Sequence, residues 1–280
     1  MLWKGRKGSA NVEDRRGLPV KGAVGGGIGT LLLAVVIYFL GGDPTQLINT
    51  VQVNTQAPAA SQKRAAAEDE MGQFVSVVLA ETENVWSDLL RKNNMTYRHP
   101  KLVLYSGSVR SACGYSSAAT GPFYCPGDQK VYIDLSFFEE LQRKFQAPGD
   151  FAMAYVIAHE VGHHVQTLLG ISDQLMAMRS KVSEREFNQY LVRFELQADY
   201  LAGVWAHHVK RMQLLEPGDL EEALNAASAI GDDRIQKRAQ GYVVPDSFTH
   251  GTSEQRKRWF NKGFTAGDLS AGNTFKAKVL

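Results

Sequence analysis

The sequence predicts an α+β fold that is mostly helical and contains a small sheet. Apolar residues recur at helical spacing over several long stretches, and two short segments have the β-branched and aromatic composition of strands. The 280 residues suit one globular domain with appendages, and a hydrophobic content of 44% supports a sizeable core. A net charge of +2 gives no reason to expect nucleic-acid binding, and we interpret the cluster Arg256-Lys257-Arg258 as a solvated helix face.

Residues 23–42 contain no charged side chain and predict a transmembrane helix. At ~1.5 Å per residue, a helix of this length spans about 30 Å, the thickness of the hydrocarbon core of a bilayer. Basic residues precede it, and these are Lys4, Arg6, Lys7, Arg15, Arg16 and Lys21. The positive-inside rule then leaves residues 1–22 in the cytoplasm and exports the remainder. A cleaved signal peptide is the alternative, but no small-residue cleavage pattern adjoins Leu40, which favours a retained anchor.

Residues 43–66 are rich in Gln, Asn, Thr, Ala and Pro, and we interpret them as a linker to a domain over residues 67–280. Within the domain, the patterns predict a helix over 67–90, strands at 101–105 and 131–135, helices over 136–145, 149–170, 183–209 and 218–241, and a last helix after an N-cap at Ser253. The strand at 131–134 either borders a cleft, where a peptide substrate could pair with it, or is a core strand paired on both sides.

The string His159-Glu160-Val161-Gly162-His163 follows an apolar run and is the strongest functional signal in the chain. On a helix, residues i and i+4 lie on one face, so His159 and His163 can bind one metal ion. The carboxylate of Glu160 can then reach a metal-bound water without binding the metal, as a general base does. A purely structural role is disfavoured, because these polar groups would be costly to bury without a metal.

A catalytic zinc site needs a third protein ligand and leaves the fourth position to water. The third His of the metzincin motif is absent, since Gln166 and Leu169 stand where that motif requires Gly and His. We expect Glu195 to complete the zinc site, and Asp199, four residues later on a helical pattern, to accept the outer N–H of a ligating His. An ordinary solvated helix face is the competing interpretation, but the apolar neighbours of this pair favour a buried helix.

The two zinc segments together resemble the gluzincins, the thermolysin-like branch of zinc metallopeptidases. More closely, the whole chain resembles the bacterial neutral zinc metallopeptidases that carry an N-terminal membrane segment. Besides the segments at 159–163 and 195–199, the likeness rests on residues 121–126, 131–135 and 250–256. It implies a zincin-like domain, Zn²⁺ as cofactor, and a peptide or protein as substrate. With the predicted anchor, it implies a bacterial inner-membrane protein whose N-terminus is cytoplasmic and whose catalytic domain is periplasmic or otherwise extracytoplasmic.

A further side chain should stabilise the oxyanion during peptide hydrolysis, and His250 is the candidate because it precedes a Gly and a helix N-terminus. A surface or capping role for His250 is the alternative, and Tyr124 and Tyr132 are weaker candidates. His164 points about 100° away from the ligand face, and we interpret it as structural. The remaining histidines, which we do not expect to bind metal, are His99, His207 and His208.

The competing function is a zinc-containing, membrane-tethered binding or assembly factor, but a structural zinc site would not need Glu160.

The two cysteines, Cys113 and Cys125, flank a loop of small residues, and we expect them to form a disulfide. By loop-closure entropy, such a bridge would stabilise the fold by about 3 kcal/mol. The bridge would persist in an oxidising compartment, in agreement with export. Two free thiols are the alternative, while metal binding is disfavoured because the spacing is not that of a metal site.

Overall fold

A computed structural model describes residues 1–17 and 59–280. The chain divides into two compact units, one formed by Met1–Arg16 with Glu70–Leu280 and the other by Gly17–Asp69. The elements described below belong to the first unit, apart from the beginning of the first helix. The predicted transmembrane segment at residues 23–42 lies outside the described residues. Within the described ranges, no helix is both long enough and apolar enough to cross a membrane.

A small mixed sheet forms one part of the first unit. Its strands, in spatial order, are β1 (Val12–Asp14), β2 (Lys101–Tyr105), β6 (Lys130–Asp134) and β5 (Phe123–Cys125), and a separate hairpin consists of β3 (Ser108–Ser111) and β4 (Gly114–Ser117). The first three strands of the sheet are parallel, and β5 is antiparallel to β6. The strand predicted at 101–105 agrees with β2, and the strand predicted at 131–135 is displaced by one residue.

The strand β6 lies between β2 and β5 and pairs with β5 over Lys130–Tyr132, so the interpretation in which it is the edge strand that borders the cleft is wrong. Tyr132 lies opposite Val103 of β2 and opposite Phe123 of β5. Among the described residues, β5 has one partner strand and is the outer strand on this side of the sheet. Sequence patterns did not predict β5, because it is short and follows Gly121-Pro122, a pair that is typical of a turn.

Helices account for most of the remaining described chain. They are α1 (Ala59–Lys92), α2 (Ser136–Arg143), α3 (Asp150–Leu168), α4 (Ile171–Met176), α5 (Glu184–Arg211), α6 (Asp219–Ala229), α7 (Asp232–Gln240) and α8 (Ser253–Ala266). The first helix begins at Ala59, within the predicted linker, because alanine favours helix. The last helix has Thr252 as its N-cap, in a capping box with Gln255, one residue before the predicted cap.

The single helix predicted over 218–241 is in fact two helices, α6 and α7, which are separated at Gly231. The backbone of Gly231 is extended, and a Cβ at this position would overlap Ser253 at the start of α8. The backbone N–H and the hydroxyl of Ser253 both donate to Oδ1 of Asp233, at 2.7 and 2.8 Å. A contact with a distant helix therefore interrupts a helix that the local pattern favours.

The helix α3 lies at the centre of the helical core and is buried along nearly its whole length. It packs against α5 and α6, and α8 in turn packs against α5. The rings of Phe151 and Trp205 stack at 5.6 Å between α3 and α5, and Tyr155 meets Phe260 of α8 edge to face at 5.5 Å. Because α3 is enclosed, the polar side chains on it need partners, and those of Tyr155 and His159 come from α5 and α8.

The first sixteen residues belong to the same unit as these helices and the sheet. The strand β1 pairs with β2, and the side chains of Met1 and Trp3 are buried in the main core. The sequence instead predicts a separate segment over residues 1–22 and a domain that begins at 67. The residues that contact the N-terminal segment lie far along the chain, so local patterns could not reveal that this segment is part of the domain.

Candidate metal and active site

The helices α3 and α5 approach closely at the point where each carries one of the two zinc segments. A Cβ added to Gly162 would lie 3.1 Å from the carbonyl oxygen of Ala198, so small residues on both helices permit this contact. Gly162 lies between the two histidines of the first segment, and Ala198 lies between Glu195 and Asp199 of the second. Close packing at this point therefore brings the two segments face to face.

The three predicted metal ligands come together at one point. Oε2 of Glu195 lies 3.1 Å from Nε2 of His159 and 3.5 Å from Nε2 of His163. One ligand atom from each of the three residues lies within 4.8 Å of the other two, and both imidazoles are buried. Two imidazole nitrogens and a carboxylate oxygen are the donor set of catalytic zinc sites that keep a fourth position open. The residues present therefore fit a zinc ion.

Each of the two imidazoles is oriented by a partner on its other ring nitrogen. Nδ1 of His159 lies 2.8 Å from Oδ1 of Asp199, an ionised carboxylate that can only accept. Gln166 donates through Nε2 to the carbonyl of Phe194, so its Oε1 accepts from Nδ1 of His163 at 2.8 Å. Both rings therefore present Nε2 to the metal position, as ligating histidines do. Asp199 lies where the sequence predicted it, whereas the part played by Gln166 was not predicted.

Asp199 is the centre of a fully buried charged network. Arg256 donates from Nε to Oδ2 at 2.9 Å and from Nη2 to Oδ1 at 3.0 Å, and Tyr155 donates its hydroxyl proton to Oδ1 at 2.6 Å. Burial alone would raise the pKa of Asp199, but the guanidinium of Arg256 and the imidazole of His159 hold it well below its usual value. An ionised Asp199 keeps the proton of His159 on Nδ1, so that Nε2 is free to bind a metal.

Arg256 reaches Asp199 because α8 lies unusually close to α5. Gly203 of α5 and Gly263 of α8 lie at the contact, and a Cβ on either residue would overlap the backbone of the opposite helix. Arg256 is 1% exposed, so the interpretation of residues 256–258 as a solvated face is wrong for this residue. Arg258 is exposed and agrees with that interpretation. Composition alone could not separate the two arginines, since the distinction depends on which side of α8 meets α5.

A cleft of about 510 Å³ contains the ligand cluster and is lined by Glu160 as well. Its walls are mainly apolar, and the apolar lining includes Phe123, Phe137, Phe145, Leu175, Phe194 and Ile235. Residues of the outer strand β5 lie along the cleft, which is where a peptide chain could lie beside the metal position. Glu160 therefore lines the same cleft as the three ligands, as a general base acting on a metal-bound water requires.

His250 also lines this cleft, with its side chain 49% exposed at the rim. Asp232 holds the loop that carries it, because Oδ2 accepts the backbone N–H groups of Thr249, His250 and Gly251. Desolvation in the cleft would lower the pKa of His250, but the carboxylates of Glu195 and Asp232 raise it. A raised pKa favours the protonated ring, and an N–H donor at the rim of the cleft suits the predicted stabilisation of an oxyanion.

The two tyrosines that were weaker candidates direct their hydroxyl protons elsewhere. Nε2 of His164 lies 2.6 Å from the carbonyl of Arg98 and must donate to it, and burial lowers the pKa of His164 to about 4. The neutral ring therefore accepts at Nδ1 from the hydroxyl of Tyr124, at 3.1 Å. The hydroxyl of Tyr132 donates to Asp128 at 2.7 Å. Tyr124 and His164 thus tie the outer strand β5 to α3.

Comparison with known proteins assigns the chain to a family. Residues 1–275 match the family described as "Putative neutral zinc metallopeptidase". The chain belongs to this family. "Uncharacterized protein YpfJ" of Escherichia coli (strain K12) is 50% identical over 289 residues, with 100% of both chains covered. "Uncharacterized protein Rv2575" of Mycobacterium tuberculosis (strain H37Rv) is 38% identical over 259 residues, covering 86% of this chain and 85% of the relative. No solved structure matches the chain.

The family match confirms the resemblance drawn from the two zinc segments, and its description suggests a zinc-dependent hydrolase.

Cys113 and Cys125 form the predicted disulfide, which joins the turn between β3 and β4 to the end of β5. The other three histidines have partners outside the ligand cluster: His99 bonds to Ser87, His207 to the carbonyl of Phe264, and His208 to the carbonyl of Gly267.

Proposed function

We propose that this protein is a zinc-dependent peptidase that hydrolyses peptide bonds of exported proteins or peptides. The observation that carries the proposal is the convergence of His159, His163 and Glu195 in a cleft that Glu160 also lines. This combination of three ligands, an open position and an adjacent carboxylate is what metal-assisted hydrolysis requires. The zinc metallopeptidase family supports the same class of reaction.

A bound zinc ion would polarise the scissile carbonyl and acidify the attacking water. Glu160 would accept the proton of that water and pass it to the leaving amine. His250 would donate a hydrogen bond to the developing oxyanion from the rim of the cleft. Asp199 and Gln166 would keep both ligating imidazoles in the required tautomer and orientation.

The disulfide Cys113–Cys125 supports an extracytoplasmic location for the domain, because such a bridge persists in oxidising compartments. Substrates would then be proteins or peptides of that compartment. Attachment to the inner membrane through residues 23–42 remains a prediction from the apolar composition of that segment.

The decisive experiment compares zinc content and peptide hydrolysis in the purified full-length protein and three variants. We expect about one zinc per chain in the wild type and in Glu160→Gln, and a loss of zinc in His163→Ala. Glu160→Gln should lower the hydrolysis rate by about 10²–10⁴-fold, because it removes the base and keeps the ligands. Glu140→Gln, which changes a carboxylate elsewhere in the cleft wall, is the matched control and should keep the activity.

Two results would contradict this proposal. Hydrolysis by Glu160→Gln at the wild-type rate, under conditions where a chelator abolishes it, would exclude Glu160 as the base. A wild type that binds zinc but cleaves no peptide of a diverse library, with partner binding insensitive to Glu160→Gln, would favour the binding or assembly factor. His250→Ala tests the oxyanion donor separately, with kcat expected to fall by about 10²–10³-fold while zinc is retained.

A further inference from the structure

The segment formed by residues 1–16 completes the sheet of the domain that carries the metal site. The strand β1 lies parallel to β2, with Val12, Glu13 and Asp14 in register with Leu102, Val103 and Leu104. Two further hydrogen bonds extend this pairing: the N–H of Leu102 donates to Asn11 at 2.9 Å, and the N–H of Arg15 donates to Leu104 at 2.8 Å. The exposed edge that β2 would otherwise present is covered by this segment.

The same segment contributes to the hydrophobic core. Met1 is 4% exposed and Trp3 is 8% exposed, and both belong to the main cluster of buried side chains. The ring of Trp3 meets Phe74 of α1 edge to face at 5.4 Å. The N–H of Leu2 donates to the carbonyl of Leu214 at 2.8 Å, which fixes the start of the chain beside the end of α5. These contacts are those of a core element and not of a peripheral tail.

Two buried carboxylates of the domain form their shortest hydrogen bonds and ion pairs with this segment. Glu81 is 2% exposed and pairs with Arg6 at 2.7 Å. Glu83 is 8% exposed and accepts from Ser9 and Asn11 at 2.7 and 2.9 Å. In the folded unit, groups of residues 1–16 therefore offset the desolvation of these two carboxylates, as buried charges require.

A cluster of three further carboxylates binds the amino group of Met1. That group lies 2.8 Å from Asp150, 2.9 Å from Glu216 and 3.0 Å from Asp219. Asp150 is the first residue of α3, the helix that carries His159 and His163. The start of the chain is therefore bound at the N-terminus of the zinc-binding helix itself.

We propose that residues 1–16 and 70–280 lie on the same side of any membrane that the protein meets. Paired strands lie about 4.8 Å apart, whereas the hydrocarbon core of a bilayer is about 30 Å thick. A single crossing by residues 23–42 would put β1 and β2 on opposite sides and break every contact described above. The predicted arrangement, with a cytoplasmic N-terminus and an exported domain, is therefore incompatible with this folded unit. If residues 23–42 engage a membrane, they do so without carrying residues 1–16 across it.

The test is cysteine labelling of the full-length chain in intact bacterial cells. Ala10→Cys reports on the N-terminal segment and Gln142→Cys on the domain, since both positions are exposed. Each variant is treated with a membrane-impermeant maleimide before and after permeabilisation of the inner membrane, and mass spectrometry identifies the labelled peptide. Cys113 and Cys125 are thereby read separately from the reporter residue. We expect both reporters to be labelled under the same condition, whichever side that is. Labelling of one reporter in intact cells and of the other only after permeabilisation would overturn the proposal.

A second measurement tests the docking itself. Trp3→Ala in the purified full-length protein should lower the melting temperature by about 6–20 °C, as expected for loss of a buried aromatic side chain. Lys7→Ala, which changes an exposed residue of the same segment, is the matched control and should leave the melting temperature nearly unchanged. Equal melting temperatures for wild type and Trp3→Ala would show that the segment is not part of the core, and the proposal would fail. Neither experiment depends on peptidase activity.

Discussion

Replacing Arg256 by methionine would leave Asp199 as a fully buried carboxylate without its guanidinium partner. The two hydrogen bonds of 2.9 and 3.0 Å would be lost, while the methionine side chain would fill much of the space of the arginine stem. Removing one partner of a buried ion pair costs about 3–5 kcal/mol, because the remaining charge stays desolvated. For a domain of this size, about 1 kcal/mol shifts the melting temperature by 2–4 °C. We therefore expect Arg256→Met to lower it by about 6–20 °C.

Thermal unfolding of the purified full-length protein, followed by circular dichroism in the presence of a chelator, measures this effect without a contribution from zinc binding. Lys257→Met is the matched control on the same helix. Lys257 pairs with Glu254 at 3.3 Å, but its side chain is 37% exposed and that of Glu254 is 69% exposed. Such a surface pair contributes at most about 1 kcal/mol. Asp199→Asn combined with Arg256→Met should lose less stability than the sum of the two single variants, because it removes both charges together.

The pH dependence of the same variant provides an independent check. Burial would raise the pKa of Asp199, but Arg256 and His159 lower it. The contribution of Asp199 to stability is therefore present above its unfolded pKa and is lost as the pH falls through its folded pKa. Without Arg256 the folded pKa rises, and protonation then relieves the buried charge in acid. The stability gap between wild type and Arg256→Met should therefore widen from about pH 4 to pH 7. A gap that is constant over this range, or no larger than that of Lys257→Met, would refute the reasoning.

Three further predictions concern other parts of the structure. Tyr124→Phe removes the donor to His164 and should cost about 1 kcal/mol in thermal unfolding, whereas a loss of 10²-fold or more in kcat would instead make Tyr124 an oxyanion donor. Replacing Cys113 and Cys125 together by serine should destabilise the protein by about 3 kcal/mol in denaturant unfolding, and an unchanged midpoint would contradict a native bridge. Burial would raise the pKa of Glu13, but hydrogen bonds from lysine and arginine side chains lower it to about 2. The contribution of Glu13 to stability is therefore present above its unfolded pKa and is lost as the pH falls through about 2. Glu13→Gln should lower the free energy of unfolding by about 1–3 kcal/mol at neutral pH and by little near pH 2. A loss of stability that does not change with pH would contradict this.

The sequence alone determined the features that depend on local geometry. Four-residue spacing on a helix fixes which side chains share a face, so His159 and His163 could be paired and Glu160 placed beside them without tertiary information. The same rule made Glu195 and Asp199 a pair, and the structure brings Glu195 to both histidines and Asp199 to His159. The α+β class followed from periodicity in the same way, because periodicity records which face of an element is buried.

Only the tertiary structure decided the features that depend on contacts between distant segments. Arg256 could not be told from Arg258 until α8 was packed against α5, since only packing determines which of two nearby arginines faces a buried carboxylate. The outer strand of the sheet was likewise unpredictable, because the edge position depends on strand order and not on the composition of one strand. The basic composition of residues 1–16 is typical of a cytoplasmic flank, yet several of their charged and polar groups pair with buried carboxylates far along the chain. Charge patterns record how many charges a segment carries, but the fold alone determines which of them are matched inside the protein.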